Sequence, residues 1–456
     1  MRRILKFLMS RSFFFGVMIL LQIALFVALM VTFSRVGGVA YLLITIVVVM
    51  VMMAVLERTN TNPAYRIMWL LIVVTMPMSG ALFYLLWGSH GIKPKKAEDF
   101  LRIEHRVSKI MRQDEAVTRA FCSQYPEYLP HMEYLARNAA APLYQSTQVE
   151  YYPFGQDFFP PFLEKLKAAR HYILMEYFIV QDGEMWGRTL EILRQKAKEG
   201  VDVRVLYDGF GCLFTLPPNY AETLRAQGIQ CFAVSPFRFS WHPSDYKLLN
   251  HRDHRKIVVI DGTVAYTGGV NLADEYINAE QRFGYWKDAA LRVEGDAAWN
   301  FTVMFLNFWN AFRPSETDYD AFRPMPLVTP VSDGIVQPYA DSPLDEEPMA
   351  ETVYLNILAQ AQRYVYIYTP YLAVGEEMLD ALKNAAKRGV DIRLVLPGIP
   401  DKKLVFRLSR SYYLPLLRAG VRIYEYTPGF LNAKCWVSDD VTAVGATINM
   451  DYRNLL

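Results

Sequence analysis

The sequence predicts a duplicated α/β protein, in which two halves with mixed or parallel sheets flanked by helices follow N-terminal transmembrane helices. Three observations support this prediction: a strand–helix–strand pattern that occurs twice, a short charged motif that occurs twice, and three apolar runs near the N-terminus. The chain has 456 residues, 52% of them hydrophobic, and a formal charge of +2. This balance argues against nucleic acid as a partner, because domains that bind it are usually strongly basic.

The N-terminal apolar residues form runs at 13–33, 36–56 and roughly 67–87. Each run has the length of about 20 residues that spans a bilayer, so a membrane segment is predicted over residues 1–90. A cleaved signal peptide would explain only the first run. Buried core helices are the alternative, but runs of this length without charge are rare in soluble domains. A basic linker is predicted over residues 91–140.

The basic residues around these runs favour an even number of membrane crossings. They precede the first run and follow the third, and three full crossings would separate these two basic ends. The sequence Met76-Pro77-Met78-Ser79-Gly80 interrupts the third run, so we expect this run to enter the membrane and return. The first two runs would form a hairpin, and the rest of the chain would face the cytoplasm. A third run that spans the membrane is the alternative.

The strand–helix–strand pattern defines the two halves. The first copy places a strand at 170–174, a helix through Leu190 and Leu193 and a strand from Gly200, and the second copy places the same elements at 363–367, through Leu379 and Leu382, and from Gly389. A glycine that ends a helix before a β-branched run is typical of a helix-to-strand exit.

A proline-rich stretch over residues 323–330 predicts an extended connector between the halves, which we place at 141–326 and 327–456. An aromatic segment before this connector, Trp299 to Phe312, has the spacing of a buried helix face. The loop at 236–242 mixes aromatic and polar residues, which suits either contact with lipid or a cover over the core.

The duplicated motif has the spacing x-Lys-x4-Asp, with an asparagine seventeen positions after its first residue. The first copy is His254, Lys256, Asp261 and Asn271, and the second is Asn432, Lys434, Asp439 and Asn449. If the first copy opens a strand, His254 and Lys256 share one face of it, because side chains alternate along a strand.

This pairing of imidazole and ammonium suits attack on phosphorus. Histidine can act as a nucleophile or proton donor near neutral pH, and lysine can hold phosphate oxygens. Such chemistry needs neither a metal nor another cofactor. The chain's four cysteines, Cys122, Cys212, Cys231 and Cys435, are far apart and predict neither disulfides nor a zinc site. For Cys435, packing is the preferred interpretation over catalysis.

These residues resemble the phospholipase D superfamily, whose His-x-Lys-x4-Asp motif occurs twice in one active site. The first copy matches through Gly268-Gly269-Val270-Asn271, whereas Asn432 replaces the second histidine and Ala446 stands opposite Gly268. With the apolar runs included, the chain resembles the bacterial cardiolipin synthases of this superfamily, through residues 62–88 and 250–256. The resemblance implies two phospholipase D-like halves with one active site at their junction, and a family sequence that continues beyond Leu456.

The resemblance also implies a reaction and a location. One phosphatidylglycerol would donate its phosphatidyl group to the enzyme and release glycerol, and a second would accept it to form cardiolipin. His254 would be the nucleophile, and a residue at position 432 the general acid and base. The lysines would hold phosphate oxygens, the aspartates would orient the basic groups, and the asparagines would donate hydrogen bonds. The implied location is the bacterial inner membrane, as a multi-pass protein with phospholipid partners and a cytoplasmic catalytic part.

Asn432 predicts an impaired enzyme, because an amide cannot exchange protons near neutral pH. A missing general acid or base typically costs roughly a hundred- to ten-thousandfold in rate, which suits a substrate-retaining variant of an active enzyme. His251 is the alternative source of an imidazole. If His254 were instead the acid, no covalent intermediate would form. Two further functions stay open: a lipid hydrolase of the phospholipase D type and a catalytically inactive membrane scaffold.

Overall fold

A computed structural model describes most of the chain in two compact units, residues 1–94 with 239–250 and residues 95–238 with 251–456. The described residues are 37–57, 63–88, 110–234, 254–312, 318–323, 334–341, 347–445 and 447–451, with Leu20, Ala24, Ala28 and Ser332. Most of the first apolar run, the loop at 236–242, His251, Ala446 and the boundary between 326 and 327 lie outside them.

The N-terminal unit contains helices α1 (Gly37–Leu56), α2 (Pro63–Thr75) and α3 (Pro77–Phe83) and a π-helical turn at Tyr84–Gly88. The second predicted run coincides with α1. The third is divided at Met76, as its Met-Pro break predicts. A Cβ on Gly80 would lie 2.5 Å from the carbonyl oxygen of Ile72, so the chain folds back at this break.

Val55, Trp69, Val73 and Tyr84 pack together inside this unit. Within the part of the chain that the structure describes, no helix combines the length and apolar character required to cross a bilayer. The prediction of N-terminal transmembrane helices is therefore not supported by the fold.

The second unit begins with two helices inside the predicted linker, α4 (Glu115–Gln124) and α5 (Leu129–Asn138). Leu135 of α5 is buried in the core of the second half. At least this part of the predicted linker is thus packed structure.

A seven-stranded mixed sheet forms the first half, in the order β1-β7-β6-β5-β2-β3-β4. Strands β2, β3 and β4 are parallel, and β5 is antiparallel to β2. Its elements are β1 (Thr147–Tyr152), α6 (Gly155–Ala168), β2 (Tyr172–Tyr177), α7 (Glu184–Lys198), β3 (Asp202–Asp208), α8 (Tyr220–Arg225), β4 (Gln230–Val234), β5 (Ile257–Ile260), β6 (Val264–Gly268), β7 (Ala290–Gly295) and α9 (Ala298–Phe312).

Helices cover both faces of this sheet. One core contains α6 and α7, and the other contains α9 with Trp299, Phe305 and Trp309 buried. The prediction of an aromatic core helix is confirmed.

A five-stranded mixed sheet forms the second half, in the order β11-β10-β8-β12-β13. Strands β8, β10 and β11 are parallel, and β12 is antiparallel to β8, as β5 is to β2. The helices and strands of the second half are α10 (Met349–Gln360), β8 (Tyr364–Tyr368), β9 (Leu372–Ala373), α11 (Glu376–Lys387), β10 (Asp391–Pro397), α12 (Lys403–Ser411), α13 (Tyr413–Ala419), β11 (Arg422–Tyr426), β12 (Cys435–Ser438), β13 (Thr442–Gly445) and β14 (Met450–Asp451). Of these, β9 and β14 pair with each other in a separate two-stranded sheet.

The predicted repeat is therefore confirmed in both halves. The helix-ending glycines Gly200 and Gly389 have φ of 90° and 96°, a conformation that favours glycine.

Candidate active site

Both motifs lie immediately before the strand that runs antiparallel to the first parallel strand of their half. His254 and Lys256 precede β5, and Asn432 and Lys434 precede β12. The strand in the first copy begins at Ile257, later than the sequence predicts. The motif residues thus belong to the entry segments, where side chains can reach across the junction of the halves.

The two motif lysines have the same environment. Lys256 and Lys434 are each about 2% exposed. Lys256 Nζ donates to the carbonyl of His254 at 2.6 Å, and Lys434 Nζ donates to the carbonyl of Asn432. Each ammonium group is therefore fixed by its own motif backbone, two residues earlier. Such a buried ammonium group suits binding of an anion.

The first residue of each motif contacts the opposite half in a reciprocal manner. His254 Nδ1 lies 2.9 Å from the carbonyl oxygen of Thr447, and Asn432 Nδ2 donates to the carbonyl oxygen of Gly269 at 3.5 Å. Thr447 and Gly269 each lie two positions before the asparagine of their own motif. The structure thus brings the two motifs together in one composite site.

The contact with Thr447 also fixes the tautomer of His254. A carbonyl oxygen only accepts, so the proton lies on Nδ1, and Nε2 of the neutral ring keeps its lone pair. The ring packs beside Phe178, with 5.0 Å between ring centroids. Lys256 Nζ lies 5.4 Å from the centroid of Phe178. Nε2 is thus the nitrogen suited to nucleophilic attack.

Asp288 is a central residue of the site that the sequence reasoning missed. Its side chain is fully buried, and Oδ2 accepts from Asn432 Nδ2 at 2.7 Å. Oδ1 accepts from the amide of Ala289 at 2.8 Å. A Cβ on Gly269 would lie 2.0 Å from Oδ1, which explains the need for glycine there.

Charge couples Asp288 to both motifs. Burial raises the pKa of Asp288, while Lys434, the amide of Asn432 and Lys256 lower it. Burial lowers the pKa of Lys434, and the negative charge of Asp288 opposes this decrease. One carboxylate thus balances two buried ammonium groups from different halves.

The segment that carries Asp288 is held by the second half. The amide of Lys287 donates to the carbonyl of Phe430 at 2.9 Å, and the amide of Asn432 donates to the carbonyl of Lys287 at 2.7 Å. These bonds fix the position of residue 432 against Asp288.

The motif aspartates contact backbone amides at strand ends, and their role of orienting the basic groups stays a prediction. Asp261 accepts from the amides of Arg170, His171 and Tyr172 at 2.8–2.9 Å, at the start of β2. The four residues of β5 separate Asp261 from Lys256, which places their Cα atoms about 16 Å apart at the usual rise per residue. In the described part of the chain, the side chain of Asp261 bonds to backbone amides and not to the basic groups of its motif.

Asp439 repeats this arrangement at the start of β8. It accepts from the amides of Gln362, Arg363 and Tyr364 at 2.7–2.9 Å. Burial acts to raise the pKa of Asp439, but the amide donors outweigh it and hold the pKa below its usual value. Both aspartates therefore join strand ends, on the sheet edge away from the lysines.

The motif asparagines are both buried. Asn271 accepts from the amide of Ile179 at 3.0 Å and donates to the hydroxyl of Tyr276 at 2.7 Å. Asn449 Oδ1 has no hydrogen-bond partner among the described residues. These contacts use the amide oxygen of Asn271 and one of its two N–H donors, so donation from the asparagines to substrate stays a prediction.

Several neighbours distinguish the two halves. Arg255 forms a 2.7 Å ion pair with the fully buried Glu176, and Ala433 occupies the corresponding position of the second motif. In the second half, Tyr371 donates to Asp401 at 2.6 Å, and Asp401 raises the pKa of Lys434. Burial raises the pKa of the Cys435 thiol to about 11, which agrees with a packing role.

Little in the sequence indicates the importance of Asp288. Counted from the motifs, its counterpart in the second half falls beyond Leu456, so the repeat could not reveal it. The pair Gly268-Gly269 matches the family motif. Its lack of side chains also indicates that another side chain approaches closely.

Comparison with known proteins agrees with this two-motif site. Residues 162–284 and 354–456 match the family described as "Cardiolipin synthase, PLD-like domain", and residues 39–89 match "Phospholipase_D-nuclease N-terminal". A cardiolipin synthase of Halalkalibacterium halodurans is 35% identical over 91% of this chain and 82% of its own length. An uncharacterized protein of Streptococcus mutans is 44% identical over 85% of this chain and 83% of its own.

The fold has a solved counterpart in the phosphatidylserine synthase of Haemophilus influenzae. That structure has a TM-score of 0.51 and 16% identity, covering 72% of this chain and 83% of that chain. The site and fold define a two-motif protein of the phospholipase D type. The chain belongs to the bacterial cardiolipin synthase family of that superfamily.

Proposed function

We propose that this chain is a phosphatidyltransferase that makes cardiolipin from two molecules of phosphatidylglycerol. The observation that carries the proposal is the reciprocal contact across the junction, which joins His254, Lys256, position 432 and Lys434 around Asp288. A buried pair of ammonium groups from two halves suits the two non-bridging oxygens of a phosphodiester. The family relationship supports the same substrate class.

In the proposed first step, Nε2 of His254 attacks phosphorus, and the bond from phosphorus to the glycerol oxygen breaks. The leaving oxygen needs a proton, which a group at position 432 would supply. In the second step, the hydroxyl of another phosphatidylglycerol loses its proton to that group and attacks phosphorus, and the bond to His254 breaks. Asn432 cannot transfer protons, so we propose that this chain performs both steps slowly.

The proposal includes attachment to a membrane through the N-terminal unit, in the bacterial inner membrane with the catalytic unit in the cytoplasm. Large apolar side chains on this unit are exposed, among them Leu43 on α1 and Leu71 and Val74 on α2. Exposed apolar surface of this kind marks contact with lipid or protein.

The direct test compares this chain with its Asn432→His form in phosphatidylglycerol vesicles. Cardiolipin, glycerol and phosphatidic acid are followed by mass spectrometry. We expect the histidine form to make cardiolipin and glycerol in equal amounts, at roughly a hundred to ten thousand times the rate of the present chain. Phosphatidic acid as the main product would assign a lipid hydrolase. No product from either form would favour a scaffold.

A further inference from the structure

An unusual surface lies on helices α12 and α13 of the catalytic unit. Its leucines are far more exposed than expected for a helix that packs on a core, because Leu404 is 80% exposed and Leu414 is 56% exposed. We call this surface the leucine face; its apolar residues are Leu404, Leu408, Leu414 and Leu417. Exposed apolar patches of this kind mark sites of interaction.

Helix geometry makes the leucine face continuous along each helix. Leu404 and Leu408 are four residues apart on α12, and Leu414 and Leu417 are three apart on α13. Residues at these spacings lie on the same side of a helix. Ser409 of α12 and Leu416 of α13 are buried, so both helices keep a separate side for the core. The leucines are therefore additional to the face that folding requires.

Basic side chains flank the leucine face. Lys403 and Arg407 on α12 and Arg418 on α13 are exposed. Two neighbouring basic residues have acidic partners, because Lys402 lies 3.8 Å from Asp401 and Arg410 pairs with Glu425 at 3.0 Å. An apolar stripe beside basic residues is typical of a helix that lies in the surface of an anionic membrane.

The leucine face starts beside the active site. Strand β10 ends at Pro397, and Asp401, between this strand and α12, accepts from the hydroxyl of Tyr371 at 2.6 Å. Asp401 and Lys434 also interact electrostatically. A lipid headgroup drawn to this surface would thus lie near the phosphate-binding lysines.

The opposite edge of the same sheet supplies a contrast. Val441 lies in the turn after β12 and is 52% exposed. It follows Asp439, which is bonded to the start of β8. Val441 is therefore an exposed apolar residue on the edge away from Lys434, flanked by the acidic Asp440.

We propose that the leucine face inserts into the interface of a bilayer rich in anionic phospholipid and holds the composite site against it. This proposal rests on the proposed function, because that function explains why the contact is needed. A lipid substrate must reach the site from a bilayer. The leucines would enter the boundary between headgroups and acyl chains, and Lys403, Arg407 and Arg418 would bind the phosphates.

The test uses the full chain with Cys122→Ser and Cys435→Ser, because Cys212 and Cys231 are buried. A polarity-sensitive fluorophore is attached at Leu404→Cys or, as the matched control, at Val441→Cys. Each protein is mixed with vesicles of phosphatidylglycerol or phosphatidylcholine, with and without lipids brominated on the acyl chains.

We expect a blue-shifted emission and quenching by brominated lipid at position 404 with phosphatidylglycerol, and neither at position 441. Lys403→Gln with Arg407→Gln should at least halve the quenching and leave circular dichroism unchanged. Equal signals at the two positions would overturn the proposal. A blue shift at 404 that appears without vesicles and grows with protein concentration would also overturn it, because a second copy would then cover the face.

This readout does not depend on turnover. The Asn432→His form is assayed for cardiolipin in the same vesicles. Insertion at position 404 without cardiolipin would reject the proposed function and leave the membrane surface standing. Cardiolipin without insertion would reject the surface alone.

Discussion

The two halves hold their motifs in the same backbone frame but equip them with different chemistry. In each half the lysine donates to the carbonyl two residues earlier, and the aspartate accepts from three amides at the start of the neighbouring strand. The first half has an imidazole in the first position of its motif, whereas the second half has there the side-chain amide of Asn432, which is bonded to Asp288. The shared backbone arrangement of the two motifs is therefore maintained by contacts that stabilise the fold, whether or not a half carries the catalytic imidazole.

The largest expected effect tests whether the two lysines are equivalent. In the Asn432→His form, Lys256→Met and Lys434→Met should each lower the rate of cardiolipin formation about a hundred- to thousandfold, because each removes one donor to the phosphate oxygens. Initial rates in phosphatidylglycerol vesicles measure the effect, with the exposed Lys387→Met as control. If one lysine proved dispensable, the two halves would not share the phosphate.

Substitution of Asp288 tests its contact with position 432 across the junction of the two halves. In the Asn432→His form, Asp288→Asn should lower kcat about ten- to a hundredfold, since a hydrogen bond to a charged group is worth roughly 1.5–3 kcal/mol. The carboxylate favours the charged imidazole, so its loss lowers the imidazole pKa and moves the alkaline limb of the rate profile to lower pH. Asp288→Glu should restore part of the rate. An unshifted pH profile would mean that Asp288 serves structure alone.

Substitutions of Asp261 and Asp439 test whether the two motif aspartates stabilise their halves equally. Asp261→Ala and Asp439→Ala should each lower the free energy of unfolding by about 2–4 kcal/mol, because three backbone amides lose a charged acceptor. Asp440→Ala is the matched control, because Asp440 shares the positive φ of Asp439 but is exposed, and its loss should be smaller than that of Asp439→Ala. Denaturant unfolding followed by tryptophan fluorescence measures all three. Equal losses for Asp439 and Asp440 would assign the effect to the backbone.

The smallest expected effect concerns a helix that differs between the halves. Glu351 on α10 precedes β8 by the same interval as Phe159 on α6 precedes β2. Burial raises the pKa of Glu351 to about 7, and Glu377 adds to the rise. A raised carboxyl pKa stabilises the fold below the unfolded pKa, and this contribution is lost as pH rises through about 7.

Thermal unfolding between pH 5 and 8 checks this effect. The midpoint should fall by a few degrees as pH rises over this range, and Glu351→Gln should flatten the decline. Asp380→Asn, an exposed change on α11, is the control. A decline that survives Glu351→Gln would assign the pH dependence to other groups.

The sequence predicted the repeated fold well, because strand and helix periodicity and the helix-ending Gly200 and Gly389 are local features. The resemblance of both motifs to the phospholipase D superfamily also predicted that they form one site. Asp288 escaped because its importance depends on contact with Asn432, which is far away in the sequence. Asp261 was expected to orient the basic groups of its motif, but β5 lies between it and Lys256, and its side chain accepts from amides at the start of β2.

Membrane crossing illustrates a different limit. Apolar runs predict burial of apolar surface, but run length alone does not determine whether the chain continues straight. The reversal at Met76, with Gly80 against Ile72, depends on packing between α2 and α3. In the same way, hydrophobic content gave no sign of the leucine face, because its exposure depends on which side of α12 packs inward.

The central claim is that His254 is the nucleophile, and trapping its adduct on the present chain tests this most directly. The chain is incubated with phosphatidylglycerol, quenched, digested and analysed by mass spectrometry for a phosphatidyl group on histidine. Because Asn432 slows both transfers, the adduct forms and breaks down slowly, and we predict that long incubation yields an acid-labile adduct on His254 that is absent from His254→Asn. No adduct on His254, while the Asn432→His form makes cardiolipin, would contradict the account and make position 432 the nucleophile.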